Sequence, residues 1–105
     1  MTDFTMEETS MLVEDGYQPG FMLDVREGDL VAIAPGIRSN FDGTTRPIKT
    51  LTVQRLLILN NSYYDYESDE MIENVVIKFI GINLDGLPEH CAYSNVYPCF
   101  IKKSE

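Results

Sequence analysis

Two long runs of β-branched and large apolar residues constrain the fold more than any other feature of this sequence. The first covers residues 48–59 and alternates with a period of two, and the second covers Val75–Ile82. This composition and period are typical of β-strands. A helix over 48–59 would also group Leu51, Leu56 and Leu59, but the Thr, Val and Ile content favours a strand. The chain is therefore predicted to be mostly β.

The alternation within residues 48–59 changes at Gln54 and Arg55. Before that point the apolar residues Leu51 and Val53 share one face, and after it both faces are apolar. A bulge or a sharp bend produces such a change, as a small barrel needs where a strand passes between its two halves. We therefore expect a bulge at Gln54-Arg55. The second run is apolar on both faces, which predicts a central strand.

Turn and cap signals divide the rest of the chain into short elements. Thr5 and Glu8 have the spacing of a capping box, which predicts a short helix over residues 5–15 that ends at Asp15-Gly16. Pro98 predicts that the last strand lies at a sheet edge. The remaining predictions are a type II turn at 18–21, strands at 21–25, 30–34 and 96–102, and loops at 39–47 and 83–89.

Together these elements predict a single domain over residues 1–105. It consists of an N-terminal helical segment, 1–16, and a β domain, 20–105. Five or six short strands with turns between them predict a small antiparallel barrel or roll, mostly β with a minor helical part.

Residues 25–34, with the sequence VREGDLVAIA, resemble the opening hairpin of SH3-like barrels. In these barrels a Gly-Asp pair commonly precedes a strand of the form Leu-Val-x-Ile. The resemblance covers ten residues and implies a small barrel that binds a peptide, another protein or a nucleic acid. The aromatic groove pattern of the proline-peptide-binding branch is missing from this sequence, so that activity is not carried over.

The net charge of −9 is distributed in blocks. Residues 1–30 carry −7 and residues 61–90 carry −6, whereas residues 31–60 carry +3 and the last fifteen carry +1. A negative field repels phosphate backbones and membrane surfaces and attracts basic proteins. We therefore expect a protein partner with a basic surface, no direct binding to nucleic acid and no membrane contact. The alternative is that the acidity only confers solubility.

Few residues in the sequence offer catalytic or metal-binding chemistry. The one histidine is His90, and the cysteines are Cys91 and Cys99. Adjacent residues of an extended segment point to opposite faces, so His90 is not expected to activate Cys91. We expect free thiols, no catalytic residue, no metal and no cofactor. The acidic N-terminal stretch is unlike a secretory signal, which predicts a cytoplasmic protein.

The candidate site is the acidic, tyrosine-rich connection between the two long strands. Tyrosine is enriched at interface hot spots, and the acids would steer a basic partner. The alternative is that one or two tyrosines cover the core and the acids are only solvated. The predicted binding residues are Tyr63, Tyr64, Asp65, Tyr66, Glu67, Asp69, Glu70 and Glu73.

The sequence therefore leads to two hypotheses about function. The first is a non-catalytic protein–protein interaction module, in its sharper form an inhibitor that imitates nucleic acid and occupies a DNA- or RNA-binding protein. The second is a structural or assembly subunit that forms an oligomer by pairing its apolar edge, Val96–Ile101, with a neighbouring chain. The oligomeric state is left open.

Overall fold

The computed structural model describes residues 4–35 and 41–103. It contains one six-stranded antiparallel sheet, a separate two-stranded hairpin and a short N-terminal helix. The elements are α1 (Met6–Glu14), β1 (Gln18–Phe21), a 3-10 turn (Met22–Asp24), β2 (Leu30–Ile33), β3 (Lys49–Asn60), β4 (Tyr63–Asp65), β5 (Glu70–Ile72), β6 (Val75–Ile82), β7 (Pro88–Ser94) and β8 (Pro98–Lys102).

The prediction of a mostly β chain with a short N-terminal helix is confirmed, but the strand order is not that of a closed barrel. The six strands lie in the order β1-β8-β2-β3-β6-β7. Strands β1 and β7 are the edges, and no closed barrel is found among the described residues. The likeness to SH3-like barrels is not confirmed.

The prediction that the last strand lies at an edge is wrong. Strand β8 pairs with β1 on one side and with β2 on the other. Pro98 is tolerated because it is the first residue of the strand, opposite Phe21. The surface from Val96 to Ile101 is therefore not available for the edge pairing that the assembly hypothesis requires.

Two further predictions near the N-terminus are wrong. Residues 18–21 form edge strand β1 instead of a type II turn, and an edge strand tolerates Pro19. The predicted strand over 21–25 is a 3-10 turn, in which the Asp24 carboxylate accepts a hydrogen bond from the backbone N–H of Phe21 at 3.2 Å. This turn directs Met22 and Val25 into the core, where both are fully buried.

Strand β7 was not predicted. Residues 83–87 form the expected connection, but β7 begins at Pro88 and runs antiparallel to β6. Its side chains alternate between exposed and half-buried positions along the whole strand. Of the predicted loop over 39–47, residues 39 and 40 lie outside the described part of the chain, and 41–47 contain no long strand or helix.

The bulge in β3 is confirmed. Val53 lies opposite Gly81 and Arg55 lies opposite Ile80, so that Gln54 is the additional residue. Because the bulge takes up one residue, Leu56 continues on the face of the sheet that carries Val53. We call this face, which covers the main core, the core face, and the opposite one the outer face.

Side chains of β8, β2, β3 and β6 meet on the core face, and Cys91 and Tyr93 of β7 pack against them. The sheet therefore curls around one core, and the 3-10 turn covers part of it. Gly81 is needed here, because a Cβ atom at this position would lie 2.9 Å from the Cβ of Leu51. The core consists of Met22, Val25, Val31, Ile33, Leu51, Val53, Ile77, Phe79, Cys99 and Ile101.

Helix α1 lies against the outer face of β2 and β8. Its predicted capping box is present: the backbone N–H of Glu8 donates to the Thr5 hydroxyl, and that of Thr5 donates to the Glu8 carboxylate, both at 3.0 Å. Leu12 packs with Ala32 and Phe100 in a second, smaller core. Among the described residues, no helix has the length and apolar character needed to cross a membrane.

Candidate protein-binding surface

The acidic, tyrosine-rich connection is a β-hairpin. Strands β4 and β5 pair antiparallel, with Tyr64 opposite Met71 and Asp65 opposite Glu70. Asp65 organises the turn between them: its carboxylate accepts hydrogen bonds from the backbone N–H of Glu67 and the hydroxyl of Ser68, each at 3.0 Å. We call residues 63–73, which contain every predicted binding residue, the hairpin tip.

The hairpin tip continues the pairing of β3 with β6. The backbone N–H of Asn61 donates to the carbonyl oxygen of Asn74 at 2.8 Å, which carries the ladder from the β3–β6 pair toward β4 and β5. None of the described residues from 61 to 74 belongs to either core. Strands β4 and β5 therefore form a two-stranded arm that extends the β3–β6 pair and contains no core residue.

One face of the hairpin tip is apolar and exposed. Tyr64 and Met71 share a face because they are directly paired. The ring of Tyr66 meets that of Tyr64 edge to face, with 4.9 Å between the ring centroids. Tyr66 is 87% exposed and Met71 is 62% exposed. Tyr63 lies opposite Ile72 and is also exposed. The alternative in which these tyrosines cover the core is therefore not supported.

The acids of the hairpin tip surround this apolar face. Asp65 is half-buried, and Glu67, Asp69, Glu70 and Glu73 are exposed. Asp65 and Glu70 lie directly opposite each other in the ladder, and like charges at such positions destabilise a hairpin. The two hydrogen bonds to Asp65 offset part of this repulsion.

Several acids outside the hairpin tip already have structural partners. Asp29 is buried, and its carboxylate contacts the ammonium of Lys103 at 2.9 Å and the backbone N–H of Arg26 at 2.9 Å. The Glu89 carboxylate accepts from Lys49 at 3.0 Å and from the amide of Asn83 at 3.2 Å, which lowers its pKa. The acids of the hairpin tip form no ion pair with any described residue. Their carboxylates therefore remain available to a partner.

A small basic patch, which the sequence did not predict, lies on the outer face. Arg55 of β3 and His90 of β7 are both paired with Ile80 of β6, one on each side of that strand. Lys78 of β6 is paired with Leu57 of β3. They line an open groove of about 500 Å³, to which Glu27 also contributes. The patch was missed because β7 was not predicted, so that nothing placed His90 beside β6.

His90 and Cys91 point to opposite faces, as predicted. His90 is exposed on the outer face, whereas Cys91 packs against the main core. Both thiols are free, and burial raises the pKa of Cys91 and raises that of Cys99 to about 12. A raised pKa keeps a thiol protonated and unreactive. In the described part of the chain, no three potential metal ligands lie close together.

Comparison of the chain with models of protein families, with curated proteins and with solved structures found no match. The fold and the surface define a mostly β domain with an exposed, acidic and aromatic hairpin arm. Any function is therefore inferred from the geometry and charge of this arm.

Proposed function

We propose that this chain is a non-catalytic protein-binding module whose hairpin tip contacts a basic surface of another protein. The observation that carries the proposal is the exposed face formed by Tyr64, Tyr66 and Met71 at the end of an arm without core contacts. The contact residues are Tyr63, Tyr64, Asp65, Tyr66, Glu67, Asp69, Glu70 and Glu73.

The physical chemistry of the hairpin tip suits a binding site. Contiguous exposed apolar side chains with a polar rim are typical of interaction surfaces, and tyrosines contribute a large contact area with little loss of conformational entropy. The surrounding acids accelerate the encounter with a basic partner. A cation near Asp65 and Glu70 would also relieve the repulsion between the two carboxylates.

A sharper form of the proposal is that the partner is a nucleic-acid-binding protein. A net charge of −9, with exposed carboxylates on the arm, has the same sign as the phosphate charge that such proteins recognise. The chain would then act as an inhibitor that occupies the nucleic-acid site. In that case, added DNA or RNA would displace the chain from its partner in a competition experiment.

The proposal is tested by capture of partners from the native host, identification by mass spectrometry, and measurement of affinity at low and high salt. Binding to a basic partner is expected to weaken steeply as salt increases, because screening removes the attraction between charges. Affinity that is unchanged between low and high salt would contradict the proposal.

Two charge-matched variants locate the contact on the surface. The hairpin variant carries Asp65→Asn, Glu67→Gln, Asp69→Asn and Glu70→Gln, and the control variant carries Glu7→Gln, Glu14→Gln, Asp15→Asn and Asp85→Asn. Both lose four negative charges, but only the first changes the hairpin tip. We expect the hairpin variant to lose affinity by roughly a hundredfold and the control by less than about threefold. Equal losses would place the contact elsewhere.

A further inference from the structure

The far half of β3 has a strand neighbour on one side only. Strand β2 pairs with β3 from Lys49 to Thr52, and the turn before β2 continues this contact to Val53 through hydrogen bonds of 2.8 and 2.9 Å. From Leu56 to Asn60, β3 pairs with β6 alone among the described elements. We call the open side of Leu56–Asn60 the β3 edge.

The backbone groups of this edge point away from β6. The N–H of Leu56 points to the open side, where the Glu27 carboxylate accepts it at 3.0 Å. The N–H of Asn61 points to the other side, where it donates to Asn74. Because backbone groups alternate along a strand, the N–H groups of Ile58 and Asn60 point to the open side. The described residues offer no hydrogen-bond partner to either of them.

The side chains along the edge are apolar and accessible. Leu57 is 57% exposed and Ile58 is 56% exposed, and Leu56 and Leu59 are half-buried. Natural sheets protect exposed edges with Lys, Pro or inward-pointing charges. The β3 edge carries none of these. An open apolar edge of this kind is a template to which an extended peptide can add a strand.

The charges at the two ends of the edge indicate which peptide would fit. Glu27 lies at the Leu56 end together with Arg55, and the acids of the hairpin tip follow Asn60. A strand with basic side chains would be attracted at the Asn60 end. A second copy of this chain, paired antiparallel about Ile58, would bring each acidic tip toward both Glu27 and Arg55 of the other copy, so that repulsion and attraction oppose each other. The acids of the hairpin tip, which form no ion pair with a described residue, therefore favour a basic segment at this edge.

We propose that the β3 edge, Leu56–Asn60, accepts an extended basic and apolar segment of the partner protein as an additional strand. This inference rests on the proposed function and specifies its binding mode. Backbone hydrogen bonds to Ile58 and Asn60 supply affinity, and contacts with Leu57 and Ile58 supply the apolar part of the interface.

The test uses the whole chain and a capped heptapeptide of alternating lysine and valine. Amide hydrogen exchange is followed residue by residue with NMR. In the free protein, the amides of Ile58 and Asn60 are expected to exchange faster than those of Leu57 and Leu59, which face β6. The peptide is expected to slow exchange at Ile58 and Asn60 by at least roughly tenfold. A glutamate–valine peptide of the same length is the control and is expected to have no effect.

A proline variant tests whether the edge itself is used. Ile58→Pro removes an N–H that faces away from β6, so the β3–β6 ladder keeps its hydrogen bonds. This variant is expected to lose the protection of Asn60 by the lysine–valine peptide, and its β6 amides are expected to remain protected. Should Ile58→Pro fail to fold, Ile58→Lys provides the same test, because an exposed lysine blocks edge pairing.

The outcomes separate this inference from the proposed function. If the peptide shifts only the signals of Tyr64 and Tyr66 and leaves Ile58 and Asn60 unprotected, the added strand is wrong and the hairpin tip remains the contact. If the glutamate–valine peptide protects the edge equally, the proposed basic occupant is wrong. Protection that rises with protein concentration, without peptide, would show that a second copy occupies the edge and would also overturn the inference.

Discussion

The position of a residue in the sheet decides its chemistry, as His90, Cys91 and Cys99 show. The alternation of strand side chains predicts that His90 and Cys91 point apart, and the structure confirms it. Which of the two points inward was not predictable, because it depends on the pairing of β7 with β6. The burial of Cys99 likewise follows from the internal position of β8, which local sequence does not encode.

Cys99 is expected to be unreactive in the folded protein. Its thiol pKa is raised from 9.0 to about 12 by burial, so almost no thiolate is present at pH 8. A Cys91→Ser variant isolates this thiol. We expect no reaction with a chromogenic disulfide reagent at pH 8 in native buffer, and complete reaction in concentrated urea. Rapid reaction in native buffer would contradict the burial of Cys99.

The same shift has a consequence for the pH dependence of stability. Burial favours the protonated thiol in the folded state, so the contribution of Cys99 is fully present below its unfolded pKa of about 9. It is lost as the pH rises toward the folded value of about 12. The difference in urea midpoint between the wild type and a Cys99→Ala variant should therefore decrease between pH 8 and pH 11.

At the scale of elements, the sequence was informative wherever local chemistry decides the structure. The capping box of α1, the two long strands and the bulge at Gln54 were all predicted from residue pattern. The bulge was visible because apolar residues occur on both faces beyond it. The failures at β1, the 3-10 turn and β7 concern three to seven residues each. Segments this short have weak local preferences, and pairing partners or burial decide their conformation.

The bulge leads to a prediction about deletions in β3. Deletion of Gln54 removes the additional residue and leaves Leu56 and Ile58 on the core face. Deletion of Leu57 instead moves every following side chain of the strand to the opposite face. We expect the first deletion to lower the free energy of unfolding by about 1–2 kcal/mol and the second by more than about 3 kcal/mol. Urea unfolding of both variants measures this, and the reverse order would contradict the assigned bulge.

At the scale of the whole molecule, repulsion among the negative charges opposes a compact fold. The net charge is −9, and the described ion pairs are Lys49 with Glu89 and Lys103 with Asp29. A solvent-exposed ion pair such as Lys49 with Glu89 contributes little to stability, whereas the repulsion among many exposed carboxylates acts over the whole domain. Acidity therefore does not explain the fold, and the exposed acids of the hairpin tip, which contains no core residue, fit the proposed role in binding.

This balance predicts how salt affects stability. Increasing sodium chloride from about 20 to about 200 mM screens the repulsion among acids, and the free energy of unfolding is expected to rise by up to about 1 kcal/mol. The hairpin variant with four fewer charges is expected to show a smaller rise. A decrease in the urea midpoint with added salt would mean that the attractive ion pairs outweigh the repulsion.

The sequence alone determined those features whose causes lie within a few residues: the β character of the long runs, the helix cap, the bulge and the composition of the acidic, tyrosine-rich segment. Only the tertiary structure decided that β8 is internal, that Cys99 is buried, and that β3 is open beyond Val53. The reason is physical. Strand order and burial arise from contacts between residues distant in the chain, and local propensity carries no information about them. The strongest strand of the sequence is thus also one whose far half the fold leaves open on one side.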